Sequence, residues 1–108
     1  MVPTNLEEFN KLASETDMIT FLLGGADCNV CNAIKPRIAD MLEKEFPLIK
    51  FIYIDLGDKR ELAAALNIFT IPVLISYFGG NEFIRKVRNF SIYEVEDELR
   101  RPYSLFTE

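Results

Sequence analysis

The sequence predicts an α/β fold in which a mixed four-stranded sheet is covered by helices on both faces. Helix-like and strand-like segments alternate along the whole chain. A helix joins the first two strands, so we expect them to be parallel, with a right-handed crossover. Gly79-Gly80 joins the last two strands, which therefore form an antiparallel hairpin. The length of 108 residues suits one domain, and we expect residues 1–108 to form it.

A helix and a buried strand are predicted at the start of the chain. Thr4 and Glu7 have the spacing of a capping box, and apolar side chains follow at helical intervals, which predicts a first helix over residues 4–14. The apolar run at residues 18–23 stops at Gly24-Gly25 and is typical of a strand buried on both faces.

The next helix and strand follow from the spacing of apolar residues. Residues 29–45 predict a longer helix, because three aliphatic side chains recur on one of its faces. These side chains are Ile34, Ile38 and Leu42. Pro36 lies inside this helix, where a proline removes a hydrogen bond and bends the axis. Residues 49–55 predict a second strand buried on both faces.

The second half of the chain begins with a helix and continues into the hairpin. Asp58 and Glu61 again have capping-box spacing, so a third helix is expected to begin there. Residues 73–78 predict the third strand, and the two glycines that follow turn the chain into a fourth strand over residues 82–88.

Ser91 and Glu94 predict a capping box for the last helix, which carries apolar residues at helical spacing. We expect this helix to stop before Pro102. Arg100 and Arg101 would then lie at its carboxyl end, where positive charge is favoured.

Composition argues against several classes of function. A net charge of −5 argues against a nucleic-acid partner, since phosphate binding needs a basic surface. Two cysteines and no histidine are too few ligands for a one-chain zinc site, an iron–sulfur cluster or attached haem. We therefore expect no metal and no organic cofactor. The N-terminus does not resemble a signal peptide and no apolar run is long enough to cross a bilayer, so we expect a cytoplasmic protein without a membrane partner.

Cys28 and Cys31 are the residues with the clearest potential for chemistry. They stand between a predicted strand and a predicted helix, and residues three apart on a helix share a face. A disulfide can close if Cys28 is at the helix start and Cys31 is in the first turn. The positive end of the helix favours a thiolate, so Cys28 is expected to be the nucleophile. Cys31, deeper in the helix, would resolve the mixed disulfide. The alternative is two unreactive small apolar residues.

At this point the sequence resembles the thioredoxin family. Three features carry the resemblance: Cys28-Asn29-Val30-Cys31 at a strand-to-helix junction, Pro36 five residues after the second cysteine, and Thr70-Ile71-Pro72 at the start of the third strand. The order of elements over residues 4–100 is also similar. Met1-Val2-Pro3 is too short to supply the family's extra N-terminal strand, so we expect a thioredoxin-like fold that lacks it.

The resemblance implies an activity and a substrate-binding loop. It implies a thiol–disulfide oxidoreductase that exchanges electrons with protein disulfides, and its reductant would be a separate reductase or another dithiol. We also expect a monomer. Pro72 would follow a cis peptide bond and hold its loop close to Cys28. Ile71 would supply the backbone that pairs with an extended segment of the substrate.

The chain departs from the family at several positions near the dithiol. Asp27 replaces the usual tryptophan, and its negative charge would raise the pKa of Cys28. Arg88 replaces a glycine, and its guanidinium would lower the same pKa if it points at the dithiol. Leu22 and Phe51 replace the buried aspartate and its neighbouring lysine. The sequence therefore predicts no side chain that could take the proton from Cys31.

Two other functions are compatible with the sequence. The lost tryptophan and the lost buried acid would suit a non-catalytic binding module that presents the groove beside Pro72 to a partner protein. An oxidase or an isomerase is the other alternative, which a reduction potential distinguishes from a reductase.

Overall fold

The computed structural model describes residues 2–108, in which helices and strands follow the predicted order. Their bounds are α1 Leu6–Glu15, β1 Met18–Gly24, α2 Asn29–Glu45, β2 Lys50–Asp55, α3 Arg60–Ala65, β3 Val73–Phe78, β4 Asn81–Val87 and α4 Ile92–Thr107. Residues 2–5, which precede α1, carry no strand.

The four strands form one mixed sheet in the order β2-β1-β3-β4. β1 is parallel to β2 and antiparallel to β3, and β3 is antiparallel to β4. The predicted mixed sheet is therefore confirmed, with β1 as an inner strand buried at every position. Burial of 49–55 on both faces is wrong: in β2 only Ile54 is fully buried, because β2 lies at an edge of the sheet.

Helices cover both faces of the sheet, as predicted. On one face, α2 and α4 pack against alternate strand residues that include Leu22 and Leu74. On the other face, α1 and α3 pack against the intervening residues, including Phe21 and Ile75. This alternation places Leu22 beneath α2, which is the helix that carries the cysteines.

Two of the three predicted capping boxes are wrong. At α1 the cap is Asn5 rather than Thr4, and its side chain accepts a hydrogen bond from the Glu8 amide at 2.9 Å. At α3 the N-cap is Lys59, which makes no side-chain capping bond, and Asp58 stays in the preceding turn. At α4 the Ser91 and Glu94 box is present. Spacing alone does not distinguish a cap from the residue beside it, because the backbone at the cap must also leave the helix.

The sequence predicts that the last helix stops before Pro102, but α4 continues to Thr107. Pro102 is buried inside it, and Tyr103 packs edge-on against Phe46 with ring centroids 5.0 Å apart. Phe106 contacts the aromatic ring of Phe78, 5.6 Å away. These contacts offset the hydrogen bond that a proline removes from a helix interior.

Candidate active site

Cys28 and Cys31 lie at the junction between β1 and α2. Cys28 is the N-cap residue, with extended backbone, and Cys31 lies in the first turn. The Cys31 amide donates a hydrogen bond to Cys28 Sγ at a donor–acceptor distance of 3.1 Å. A cap must accept from the free amides of the first turn, and here a sulfur atom does so in place of an oxygen.

The two sulfurs are joined by a disulfide, with the Cα atoms 5.2 Å apart. Cys28 is partly exposed, whereas Cys31 is completely buried. A partner molecule could therefore reach the sulfur of Cys28 but not that of Cys31. This difference supports the predicted division between an attacking and a resolving cysteine.

The loop before β3 lies beside the dithiol. The Ile71–Pro72 peptide bond is cis. Ile71 lines a shallow groove together with Cys28, and a Cβ built on Gly25 would lie 3.2 Å from its Cδ1 atom. The pairing of β3 with both neighbours begins at Val73, so the backbone of Ile71 stands outside the sheet.

Arg88 lies at the end of β4, next to this loop. Its amide donates a hydrogen bond to the Pro72 carbonyl at 2.7 Å, and its side chain is exposed. Its φ angle is 59°, in the left-handed region that favours glycine. The chain therefore keeps a glycine-like backbone at a position where it has an arginine.

Asp27 is exposed and immediately precedes Cys28 at the rim of the groove. Within residues 2–108, neither Asp27 nor Arg88 takes part in an ion pair. Among the described residues, neither charge is therefore neutralised by an ion-pair partner.

The interior beneath Cys31 contains a residue that sequence reasoning missed. Leu22 is fully buried and Phe51 is partly buried, and they are the apolar residues at the two positions where the resemblance implies a charged pair. Tyr53, however, pairs with Leu22 across β1 and β2, and its hydroxyl lies close to Cys31. Tyr53 could be identified only from the register between β1 and β2, which cannot be read from the sequence alone.

Tyr53 has an unusual environment. Its hydroxyl is buried and has no hydrogen-bond partner among the described residues. Lys35 Nζ lies 4.3 Å from the centroid of its ring. Burial, followed by the nearby Asp55 carboxylate, raises the pKa of Tyr53. The phenol therefore keeps its proton over the ordinary pH range and can act as a hydrogen-bond donor.

The residues described by the structure bring together no group of three or more Cys, Asp or Glu side chains that could hold a metal ion. They also include no helix long and apolar enough to span a bilayer.

Comparison with known proteins gives a consistent result. A thioredoxin-like protein of Bacillus subtilis, YdfQ, is 37% identical over 79 residues, which cover 73% of this chain and 70% of that protein. The thioredoxin Asp f 28 of Aspergillus fumigatus is 26% identical over 73 residues, which cover 68% of this chain and 67% of that protein. No family model matches the chain.

Solved structures show the same architecture. Thioredoxin 1 of Thermosipho africanus superimposes with a TM-score of 0.74 at 28% identity, over 83% of this chain and 99% of that one. A thioredoxin of Plasmodium falciparum superimposes with a TM-score of 0.76 at 17% identity, over 93% of this chain and 97% of that one, and this likeness concerns the fold.

Proposed function

The chain belongs to the thioredoxin family and is a thiol–disulfide oxidoreductase, and on this premise we propose that it reduces disulfides in other proteins. Cys28 is the attacking sulfur and Cys31 the resolving sulfur. Electrons pass from the dithiol to the substrate, and a separate reductase restores the dithiol.

The position of Cys28 Sγ at the N-terminus of α2 is the observation that carries this assignment. The sulfur accepts the Cys31 amide at 3.1 Å, at the positive end of a 17-residue helix. An ionised acceptor makes a stronger hydrogen bond there than a neutral thiol. This favours the thiolate of Cys28, which is the nucleophilic form.

The exchange proceeds in two balanced steps. The Cys28 thiolate attacks one sulfur of the substrate disulfide, forms a mixed disulfide and releases one substrate thiolate. The Cys31 thiolate then attacks Cys28 Sγ, closes the Cys28–Cys31 disulfide and releases the second substrate thiolate. Two electrons have moved to the substrate, and the two protons lost by the cysteines are returned to the substrate thiolates through solvent.

The groove beside Cys28 receives the substrate as an extended segment. Ile71 lines this groove and its backbone stands outside the sheet, so it is free to pair with an added strand. Pro72 is buried, and its carbonyl already accepts a hydrogen bond from the Arg88 amide. Ile71 therefore provides the contact with the substrate backbone, and Pro72 positions it.

Two exposed charges adjust the reactivity of Cys28. The Asp27 carboxylate disfavours a negative sulfur at the next residue and raises the pKa of Cys28. The Arg88 guanidinium, carried by a backbone that is bonded to Pro72, acts in the opposite direction.

The protein works as a monomer in the cytoplasm, without binding nucleic acid or membranes. The net charge of −5 supports the first exclusion. A reducing cytoplasm maintains dithiols. Acid quenching of living cells, followed by alkylation of the unfolded protein, tests this location: Cys28 and Cys31 should be recovered mainly as alkylated thiols, and a fully oxidised pair would contradict it.

Insulin reduction in the presence of dithiothreitol tests the activity. Cys28→Ser should reduce turnover to the background rate, because the attacking sulfur is lost. Cys31→Ser should instead accumulate mixed disulfides through Cys28, which intact mass spectrometry detects. Wild-type turnover no faster than background would contradict the reductase and leave the non-catalytic binding module, an oxidase or an isomerase.

The trapped mixed disulfide also tests the substrate groove. In Cys31→Ser protein linked to a substrate peptide, the amide resonance of Ile71 should shift relative to the unlinked protein. An unperturbed amide at this position would remove Ile71 from the binding site.

The reduction potential tests the direction of electron flow. A value near −270 mV, as in thioredoxin, would support a reductase, whereas a value near −120 mV would indicate a strong oxidant. Equilibration of the Cys28–Cys31 pair with a glutathione or dithiothreitol buffer gives this value directly.

A further inference from the structure

The Tyr53 hydroxyl is a buried donor without a partner. The ring belongs to β2 and packs against the cluster formed with α2 and α4. Buried tyrosine hydroxyls usually find a hydrogen-bond partner, and each exception in a folded protein calls for an explanation. The atoms around this hydroxyl supply one.

Gly24 shows how close the hydroxyl is to the resolving cysteine. A Cβ built on Gly24 would lie 2.6 Å from Tyr53 Oη and 2.9 Å from Cys31 Sγ. Both atoms therefore border the same small space, which the missing side chain of Gly24 leaves open. The hydroxyl and the sulfur are therefore near neighbours.

The charged and titratable groups around this space are few. Lys35 lies four residues after Cys31 on α2, so its ammonium is on the same helix face, above the Tyr53 ring. The Asp55 carboxylate, also on β2, contributes to the raised pKa of Tyr53. Cys28, at the start of α2, is joined to Cys31 by the disulfide. The Tyr53 hydroxyl therefore keeps its proton, and a Cys31 thiolate in this space would need a hydrogen-bond donor.

We propose that Tyr53 donates a hydrogen bond to the Cys31 thiolate whenever the disulfide is open. This inference rests on the proposed function of Cys31 as the resolving sulfur. Tyr53 pairs with Leu22 in the sheet, so its hydroxyl reaches the region from which an aspartate at that position would have acted.

The hydroxyl changes the reaction by stabilising an anion, and it carries no proton away. In the disulfide, Cys31 Sγ is a weak acceptor, and the hydroxyl remains unpartnered. In the mixed disulfide, Cys31 loses its proton to solvent, and the bond from Tyr53 stabilises the resulting thiolate. The same bond stabilises this thiolate as a leaving group when a reductant attacks Cys28. Tyr53 is thus a catalytic residue for the resolving step, because it contacts the reacting sulfur.

The first test measures the pKa of Cys31 where it is the only thiol. In a Cys28→Ser background, the pH dependence of the Cys31 ¹³Cβ chemical shift gives this pKa without a reagent that would have to reach the buried sulfur. Tyr53→Phe, which keeps the ring over which Lys35 lies, should raise the pKa of Cys31 by about one unit, a tenfold loss of thiolate at a fixed pH.

Tyr77→Phe is the matched control. Tyr77 is another partly buried sheet tyrosine with a raised pKa, but it packs against Phe9 and Phe21 on the opposite face. It should leave the titration curve of Cys31 unchanged. An unchanged curve in Tyr53→Phe as well would overturn the inference, whereas loss of turnover in Cys28→Ser would still support the function.

The second test separates this role from a structural one. In a chain with both cysteines, Tyr53→Phe should lengthen the lifetime of the mixed disulfide about threefold, because the tenfold loss of Cys31 thiolate is partly offset by the higher nucleophilicity of a more basic thiolate. It should not lower the free energy of unfolding of the oxidised protein, because the removed hydroxyl had no partner. A marked loss of stability with an unaltered lifetime would make Tyr53 a structural residue and overturn the inference.

Discussion

Arg88 has a backbone conformation that favours glycine, although its side chain is that of an arginine. Its φ angle of 59° is costly for a residue with a Cβ, yet its amide still bonds to the Pro72 carbonyl. Within the described residues, Asn67 is the other non-glycine residue with positive φ, and asparagine tolerates this conformation better. The backbone strain is therefore concentrated at the arginine.

Arg88→Gly should stabilise the protein by about 0.5–1 kcal/mol, because relief of the left-handed backbone exceeds the entropy that glycine gains in the unfolded chain. Urea denaturation of the oxidised protein measures this difference. Arg88→Ala is the matched control, since it removes the guanidinium but keeps the Cβ. Equal stabilities for the two variants would show that the backbone conformation is not the cause.

Asp27→Asn should lower the pKa of Cys28, because a neutral neighbour no longer opposes the thiolate. At a pH below that pKa, a larger fraction of Cys28 is then ionised and alkylation is faster. Asp40→Asn, at an exposed position further along α2, is the control and should have no such effect. The same titration curve for wild type and Asp27→Asn would show that the Asp27 carboxylate has no effect on the ionisation of Cys28.

Residue-level prediction was strongest where chemistry and spacing coincide. The spacing of Cys28 and Cys31 indicates their position on one helical turn, and the resemblance indicates the cis bond before Pro72. Tyr53 was missed because its importance depends on the pairing of two strands and on the space left by Gly24. Neither can be read from a pattern along the chain.

At the scale of elements, periodicity predicted the interior of each helix and strand better than its ends. The helix over residues 29–45 is observed without interruption, with Pro36 inside it on the exposed side. The end of α4 was missed because contacts of Tyr103 and Phe106 with distant rings stabilise a helix that Pro102 alone would terminate. The exposure of β2 was missed because an edge position is a property of the sheet order.

At the scale of the whole molecule, the two apolar clusters on opposite faces of the sheet are coupled through β1. Leu22 belongs to one cluster and Phe21 to the other. The radius of gyration is 13.0 Å, about the value for a compact domain of this length. Loss of either cluster would therefore expose the strand that supports the other.

The oxidised protein should unfold in urea in one transition, with the same midpoint in far-ultraviolet and near-ultraviolet circular dichroism. The midpoint should not change with protein concentration, because a single-domain monomer has no association equilibrium coupled to folding. Two separate transitions would contradict the single domain over residues 1–108. A midpoint that rises with concentration would contradict the monomer.

Cys28 accepts electrons when the disulfide is reduced, and its Sγ also caps the N-terminus of α2. The redox equilibrium and the stability of the first helical turn therefore depend on the same atom. Reduction turns a weak acceptor into an anion at the positive end of the helix, which holds the first turn more firmly. By thermodynamic linkage, a substitution that loosens this turn at Asn29 or Val30 disfavours the reduced form and makes the protein a stronger reductant. Two residues between the cysteines can thus adjust the driving force for electron transfer without touching either sulfur.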